Sequence, residues 1–230
     1  MLKLGARLAA IAAYISSGAR VADIGTDHGY LPAFLIQRGD VAYVVAGDIN
    51  HAPLDSAREL VRRLEVTDKI AVRLGDGLKV IQPGEVDTVV IAGMGGPTMI
   101  DILTSGQQVT KTLHRLVLQP MVGAGTLRYW LVNNGFLLVD EQLAKEDGRI
   151  YEIIVAEPGV DTLERDFLFE LGPLLWLKRD PLLKEYWQEL LAHFCKVQEN
   201  LLQSSLGEKH PKFREYAEKI KYLEEHMLCL

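Results

Sequence analysis

Apolar positions change period several times along this chain. Leu4, Leu8, Ile11 and Ile15 recur at helical spacing and predict a first helix over roughly Leu2–Ile15, ended by Ser16-Ser17-Gly18. Short apolar runs follow: Val21–Ile24, Tyr43–Ile49, Ile70–Leu74, Asp87–Ala92 and Arg115–Gln119. Near-continuous apolar runs of this length read as strands of a sheet buried on both faces. Between them, Tyr30–Gln37, Pro53–Leu64, Pro97–Leu103 and Gly125–Asn133 read as helices. Leu54, Ala57, Val61 and Leu64 form one apolar stripe, with Pro53 in the first turn of that helix. Strand alternating with helix is the pattern of a parallel α/β sheet.

The alternation then stops. Phe136–Leu143 and Ile150–Ala156 are both strand-like, and the turn Glu146-Asp147-Gly148-Arg149 lies between them. Strands joined by so short a turn must pair antiparallel. A parallel sheet closed by such a hairpin is the mark of a class I methyltransferase; a dehydrogenase sheet would go on alternating. The expected fold is therefore α/β, a Rossmann-like seven-stranded sheet, with a first domain over 1–158. From Glu157 the composition changes, and Gly172-Pro173 interrupts a loop. Leu183, Trp187, Leu190, Phe194, Val197 and Leu201 step by four and three, as do Phe213, Tyr216, Ile220, Leu223 and Met227. Two such helices around S-S-L-G-E-K-H-P predict an antiparallel, coiled-coil-like hairpin domain over 159–230. Its seams are too short for a long multi-chain coiled coil; the sequence does not fix the oligomeric state, and a monomer is the favoured expectation. The hairpin either packs on itself or on the first domain, or carries Lys209, Lys212, Arg214, Lys219 and Lys221 toward an RNA backbone.

Composition narrows the classes. A chain of 230 residues with 48% hydrophobic residues can bury one α/β core and a smaller appendage. A net charge of −6 leaves no global basic footprint, so contact with nucleic acid requires a local patch. Arg58, Arg62 and Arg63, largely off the apolar stripe of their helix, are either a solvated face or such a patch. Cys195 and Cys229 lack metal-type spacing and read as free thiols in a reducing compartment. No metal site is expected. No apolar run reaches a membrane span and the N-terminus lacks a signal-peptide pattern, so the expected location is cytoplasmic.

The candidate chemistry gathers at strand ends. Arg20–Pro32, R-V-A-D-I-G-T-D-H-G-Y-L-P, is a strand, a glycine turn and a helix start. A dinucleotide fingerprint would need glycine where Asp27 and Tyr30 stand. Pyrophosphate wants bare amides at a helix N-terminus, and Asp27 puts a carboxylate there. Asp23 and Asp27 around Gly25 suit S-adenosylmethionine, which carries a sulfonium and an ammonium and no phosphate. A structural turn with Asp27 as helix cap is the plainer alternative. Asp48 ends the second strand, 23 residues after Gly25, where an acid accepts from ribose hydroxyls. Gly75-Asp76-Gly77 offers Asp76 and Gly77 to an adenine or ribose edge, unless it is a simple turn. Gly93-Met94-Gly95-Gly96 ends the fourth strand, and its glycines imply backbone close to a ligand, with Met94 lining the pocket or merely packing.

Taken in order, D-I-G-T-D-H-G-Y-L-P, V-R-L-G-D-G-L, I-A-G-M-G-G, L-Q-P and E-D-G-R-I-Y-E-I, with Gly172-Pro173-Leu174 before a helical tail, resemble bacterial tRNA (adenine-22-N1)-methyltransferases. The resemblance covers about residues 1–180; the tail matches in type more than in sequence. It implies a domain holding S-adenosylmethionine, a coiled-coil domain that helps hold tRNA, and Asp27 as the acid nearest the chemistry. Asp48 stands where glutamate is common, His51-Ala52 precedes Pro53 where a glycine is usual, and Met121 follows Pro120 where asparagine is common. Met121 therefore leaves any substrate hydrogen bond from that position in doubt.

Adenine N1 has a free lone pair and needs little base catalysis. The methylated ring is cationic until its 6-amino group loses a proton, and a carboxylate at Asp27 would orient that amine and stabilise the charge. Gly93-Met94-Gly95-Gly96 occupies the place of the (D/N)-P-P-(Y/F) motif of exocyclic amine methylation, which favours a ring nitrogen. His28, Tyr30, Gln119 and Pro120 are the candidate substrate contacts, His28 and Tyr30 by stacking on a flipped-out base. The rival readings are a methyltransferase acting on another RNA or a small molecule, and a non-catalytic nucleotide-binding module with a helical interaction arm. An NAD-dependent oxidoreductase is disfavoured by the broken fingerprint and the terminal hairpin.

Overall fold

The structure is a computed structural model and describes residues 2–160 and 168–228. In chain order its elements are α1 (Ala6–Ala13), β1 (Arg20–Ile24), α2 (Tyr30–Arg38), β2 (Tyr43–Asp48), α3 (His51–Arg63), β3 (Ile70–Leu74), β4 (Thr88–Met94), α4 (Gly96–Ser105) and α5 (Gln107–Thr110). There follow β5 (Arg115–Pro120), α6 (Ala124–Asn133), β6 (Phe136–Glu146), β7 (Arg149–Pro158), α7 (Leu168–Leu171), α8 (Pro173–Lys178), α9 (Leu183–Leu202) and α10 (Pro211–Met227). The chain forms two compact units, Met1–Glu170 and Leu171–Leu230.

The first unit is a seven-stranded sheet in the order β3-β2-β1-β4-β5-β7-β6. Neighbours from β3 to β5 are parallel, and β7 runs antiparallel between β5 and β6. The expected hairpin is therefore present, and it slots its second strand inward. Central strands are buried on both faces, as their continuous apolar runs require. On one face Val21, Val44, Val90, Val117, Ile153 and Val155 pack with Ile11 of α1, Leu35 and Ile36 of α2 and Val61 of α3. Strand β1 pairs with both β2 and β4, so the chain reverses its winding direction there. Such a switch point opens a crevice beyond the carboxyl ends of the two strands.

Three expected boundaries shift for physical reasons. Helix α1 covers only Ala6–Ala13, because Gly5 is its N-cap and a glutamate from β6 meets it: Glu146 Oε2 accepts from the Arg7 amide at 2.8 Å. Leu4 and Ile15 still pack on the core from outside the helix. Strand β4 continues past Ala92 through a bulge at Gly93, whose φ of +77° lies in the region that favours glycine. The amide of Gly93 is not lost, since it donates to Gln119 Oε1 at 3.2 Å. Strands β6 and β7 extend to Glu146 and Pro158, longer than their apolar cores suggest, because ladder pairing carries polar ends along.

The interior also holds a buried cation that the periodicity does not signal. Arg128 of α6 is fully buried. It donates to Glu141 of β6, to Glu152 Oε1 of β7 at 2.6 Å and to the Phe169 carbonyl at 2.7 Å.

In the second unit, α9 and α10 form the expected hairpin, with Phe194 edge-on to Tyr216 at 5.5 Å and Leu223 buried. Trp187 stacks on Trp176 and donates its indole N–H to the Leu171 carbonyl at 3.0 Å. Gly172-Pro173, expected to interrupt a loop, instead starts a helix, with Gly172 as N-cap and Pro173 as the first residue of α8. Lys219, one of the basic residues considered for RNA, is instead buried. Its ammonium sits over the Phe194 and Tyr216 rings and pairs with Glu215 at 2.7 Å. Lys209, Lys212, Arg214 and Lys221 are exposed. Cys195 is a free thiol; Cys229 lies outside the described residues. No helix among the described residues is long and apolar enough to cross a membrane.

Candidate active site

The crevice at the switch point is a cavity of about 680 Å³. Strand ends and the turns that follow them supply its walls. From β1 and its turn come Asp23, Gly25, Thr26, Asp27 and His28, with Tyr30 at the start of α2. From β2 come Asp48 and Asn50; from the turn after β3, Asp76 and Gly77; from β4, Gly93 and Met94. Most of the expected site residues thus meet in one place. The three that do not line it are Gly95, Gln119 and Pro120.

Gln119 acts one layer behind. It is fully buried, and its Oε1 accepts from Arg7 Nη1 at 2.8 Å as well as from the Gly93 amide. Its Nε2 donates to the Pro120 carbonyl at 3.0 Å. It therefore ties the bulge of β4 to β5 and aims a guanidinium into the cavity. Gly95 begins α4 as its N-cap, and Pro120 is a buried strand residue.

Acid chemistry dominates the floor. Asp23 is buried and accepts from Thr26 Oγ1 at 2.7 Å. Burial raises its carboxyl pKa from 3.8 to about 6; the Thr26 bond and Arg7 oppose the rise, and the charges of Asp48 and Asp27 add to it. Asp48 accepts from the Asn50 amide at 2.9 Å and from the Asp27 amide at 3.3 Å, so one carboxylate sets both neighbouring turns. Asp27 itself has φ +53° and an exposed side chain, with His28 Nε2 3.5 Å from its Oδ1. Asp76, at the far wall, pairs with Lys79 at 2.7 Å on the surface.

Two further cavity residues lie far away in sequence. Arg7 of α1 stands over the Tyr151 ring of β7, 5.6 Å from its centre, and both line the cavity. In the sequence Arg7 is a lone charge between the apolar positions Leu4 and Leu8, and Tyr151 lies within E-D-G-R-I-Y-E-I. Nothing local marks either as facing β1. Met121 also lines the cavity and is half-exposed, so an apolar thioether occupies the wall where the resemblance expected an amide.

This donor set suits a ligand with both signs of charge. Four carboxylates and one guanidinium line the cavity, and Asp27 stands in the turn before α2, where a pyrophosphate site would have bare amides. An ammonium and sulfonium fit the acids, a carboxylate fits Arg7, and a ribose diol fits Asp48. Among the described residues no cluster could hold a metal ion.

Comparison with known proteins agrees. Residues 4–154 match the family described as "Methyltransferase domain". The chain is 36% identical to the curated tRNA (adenine(22)-N(1))-methyltransferase of Bacillus subtilis over 97% of each chain. The solved B. subtilis m1A22 tRNA methyltransferase TrmK superposes with a TM-score of 0.89 at 36% identity, covering 99% of this chain and all of that one. A Streptococcus pneumoniae protein, Sp1610, solved in complex with S-adenosyl-L-methionine, superposes with a TM-score of 0.87 at 31% identity, over 98% of this chain and 100% of that one.

Proposed function

The chain belongs to the tRNA (adenine-22-N1)-methyltransferase family, and we propose that it moves the methyl group of S-adenosylmethionine to N1 of adenine 22 in tRNA. The observation that supports this reading best is the cavity at the β1/β4 switch point, where acids stand where a pyrophosphate site would have bare amides. When bound there, S-adenosylmethionine supplies an electrophilic methyl on sulfur. Asp23 is placed for its ammonium, Arg7 for its carboxylate, Asp48 for the ribose hydroxyls, and Asp76 with Gly77 for the adenine edge. Gly25, Gly93 and Met94 form the close-packed wall between them.

Asp27 does the work on the acceptor. Its carboxylate accepts from the 6-amino group, orients N1 and offsets the positive charge that develops on the ring as N1 gains its methyl. The same oxygen then takes the amino proton. His28 holds Asp27, and the exposed Tyr30 ring, 5.9 Å from the His28 ring, offers a face to the flipped-out base. In the second unit, Lys209, Lys212, Arg214 and Lys221 are the residues we assign to the RNA backbone; Arg214 and Lys221 would first leave their surface pairs with Glu218 and Glu225. Such exposed pairs cost little to break. We place this chemistry in the cytoplasm.

Labelled S-adenosylmethionine with unmodified tRNA tests the reading directly. The expected product on nucleoside analysis is 1-methyladenosine, absent when adenine 22 is replaced by guanine. Transfer to no tRNA, with cofactor binding intact, would overturn the substrate.

Asp23 gives this site a pH signature. Well below pH 3.8 its carboxyl is protonated in folded and unfolded chains alike. Between the unfolded value of 3.8 and the folded value of about 6, only the folded chain keeps the proton. Rising pH through that window therefore lowers stability, by about 3 kcal/mol in all, and the loss persists above it. A cationic ligand group reverses the sense, because it prefers ionised Asp23. Affinity for S-adenosylmethionine is expected to fall about tenfold from pH 7 to pH 5. Asp23→Asn is expected to flatten that profile, weaken binding at pH 7 and raise the melting temperature of the free protein. Calorimetric titration across this range checks it; a flat wild-type profile would remove Asp23 from the ammonium.

A further inference from the structure

A second concavity, of about 250 Å³, shares a wall with the active-site cavity. His28 and Tyr30 line both. The rest of its lining comes from one face of α3: Ser56, Glu59, Leu60 and Arg63. Its size is below the ~300 Å³ at which pockets for drug-sized ligands begin.

The two walls are held at a fixed spacing. Gly29, with φ +73°, lies against α3 so closely that an added Cβ would stand 3.0 Å from the Cβ of Ala57. The turn carrying Asp27 and His28 therefore packs directly against the helix whose face carries Ser56 and Arg63. The groove is a built feature of the catalytic turn.

Its polar groups are arranged as a nucleotide would need them. Arg58 is taken by Asp55 at 2.7 Å, and Arg62 Nε donates to the Arg58 carbonyl. Arg63 is exposed and, among the described residues, has no hydrogen-bond or ion-pair partner. Its position in the last turn of α3 suits a cation against the helix dipole, but that alone does not turn it toward a groove. Glu59, one turn earlier, is exposed and not paired with it, so the groove offers a guanidinium and a carboxylate beside the Ser56 hydroxyl, which donates to the Ala52 carbonyl at 3.4 Å and can still accept. The half-exposed Tyr30 ring stands at the rim between the two concavities.

We infer that this groove seats the nucleotide next to the target adenine, with Arg63 on its phosphate, Tyr30 against its base, and Ser56 and Glu59 on the base edge. The inference rests on the reading of the chain as a tRNA methyltransferase. A base that enters the active-site cavity leaves its stack, and its neighbour loses a stacking partner. An aromatic ring at the boundary replaces that partner and keeps the two bases apart. A free guanidinium then fixes the backbone at the point of the turn.

The test is the salt dependence of tRNA binding by full-length protein, measured directly with unmodified tRNA and without turnover. Arg63→Gln is expected to weaken binding about fivefold to tenfold near physiological salt. It should also reduce the slope of log affinity against log salt by about 0.7–0.9, the signature of one lost phosphate contact. Affinity for S-adenosylmethionine should not change. Glu59→Gln should alter KM for tRNA when the neighbouring base is exchanged, with the slope unchanged. An Arg63→Gln protein with wild-type slope and affinity would overturn the proposal, as would a change in cofactor affinity equal to the change for tRNA. Failure of the wild-type enzyme to methylate tRNA would strike the proposed function; the binding slope decides the groove independently.

Discussion

Asp27→Ala is expected to lower kcat for tRNA methylation by about 10²–10⁴-fold while S-adenosylmethionine still binds. The separation follows from where the side chain stands. The Asp27 backbone is held by Asp48, whose carboxylate accepts from its amide, but the side chain is exposed and, among the described residues, pairs with His28 alone. It holds no fold together, so its loss should be felt by the acceptor base alone. The substitution carries one complication. Asp27 has φ +53°, a left-handed backbone that alanine adopts at a cost of roughly 1–2 kcal/mol. Asp27→Asn removes that complication, because asparagine tolerates this region and differs only in charge. Asparagine should retain cofactor affinity and lose most of the rate, since it can accept a hydrogen bond but can neither offset a developing cation nor take its proton. Single-turnover rates with saturating tRNA make the comparison. If both variants turn over within threefold of wild type, Asp27 is not the catalytic carboxylate; if cofactor affinity falls as far as the rate, it belongs to the cofactor.

Arg128→Met is expected to destabilise the first unit by about 3–5 kcal/mol. Arg128 and Glu141 are both fully buried, and Glu152 is nearly so. Removing the guanidinium takes the Arg128 charge away from buried Glu141 and a donor away from the Phe169 carbonyl. The whole stability of a domain is about 5–15 kcal/mol, so this is a large share of it. A melting temperature lower by roughly 10 °C is the expected reading. Arg128→Lys keeps the charge but not the fork of donors, and should fall between. Replacing Arg128 and Glu141 together by apolar residues should recover much of the loss, because the cost lies in the stranded charge rather than in the missing bond. A single Arg128→Met variant that melts within about 2 °C of wild type would show that the ion cluster contributes little.

These two residues differ in how visible they were before the fold was known. Asp27 is bracketed by a strand end and a helix start, so its neighbourhood is written within a few residues. Arg128 lies in a helix whose other residues show nothing unusual, and its partners are 13 and 24 positions further on. Lys219 shows the same limit from the other side. Its charge invited a place in a basic patch, yet heptad packing turns it onto Phe194 and Tyr216. A helical period says which residues share a face; it does not say which face a partner helix will cover.

The sequence by itself determined the strands and their order of pairing type, the closing hairpin, the helical hairpin, and the acids Asp23, Asp27, Asp48 and Asp76 at strand ends. All of these are short-range signals, since a two-residue or seven-residue period and a turn residue act within one element and its neighbour. Only the tertiary structure decided that Arg7 and Tyr151 reach the same cavity, that Gln119 supports it from behind, and that Arg63 faces a groove beside it. Arg7 meets Gln119 and Tyr151 across more than a hundred residues, and Arg63 meets the β1 turn across a whole helix and strand. The packing of buried faces selects these meetings, and no local pattern of polar and apolar residues records them.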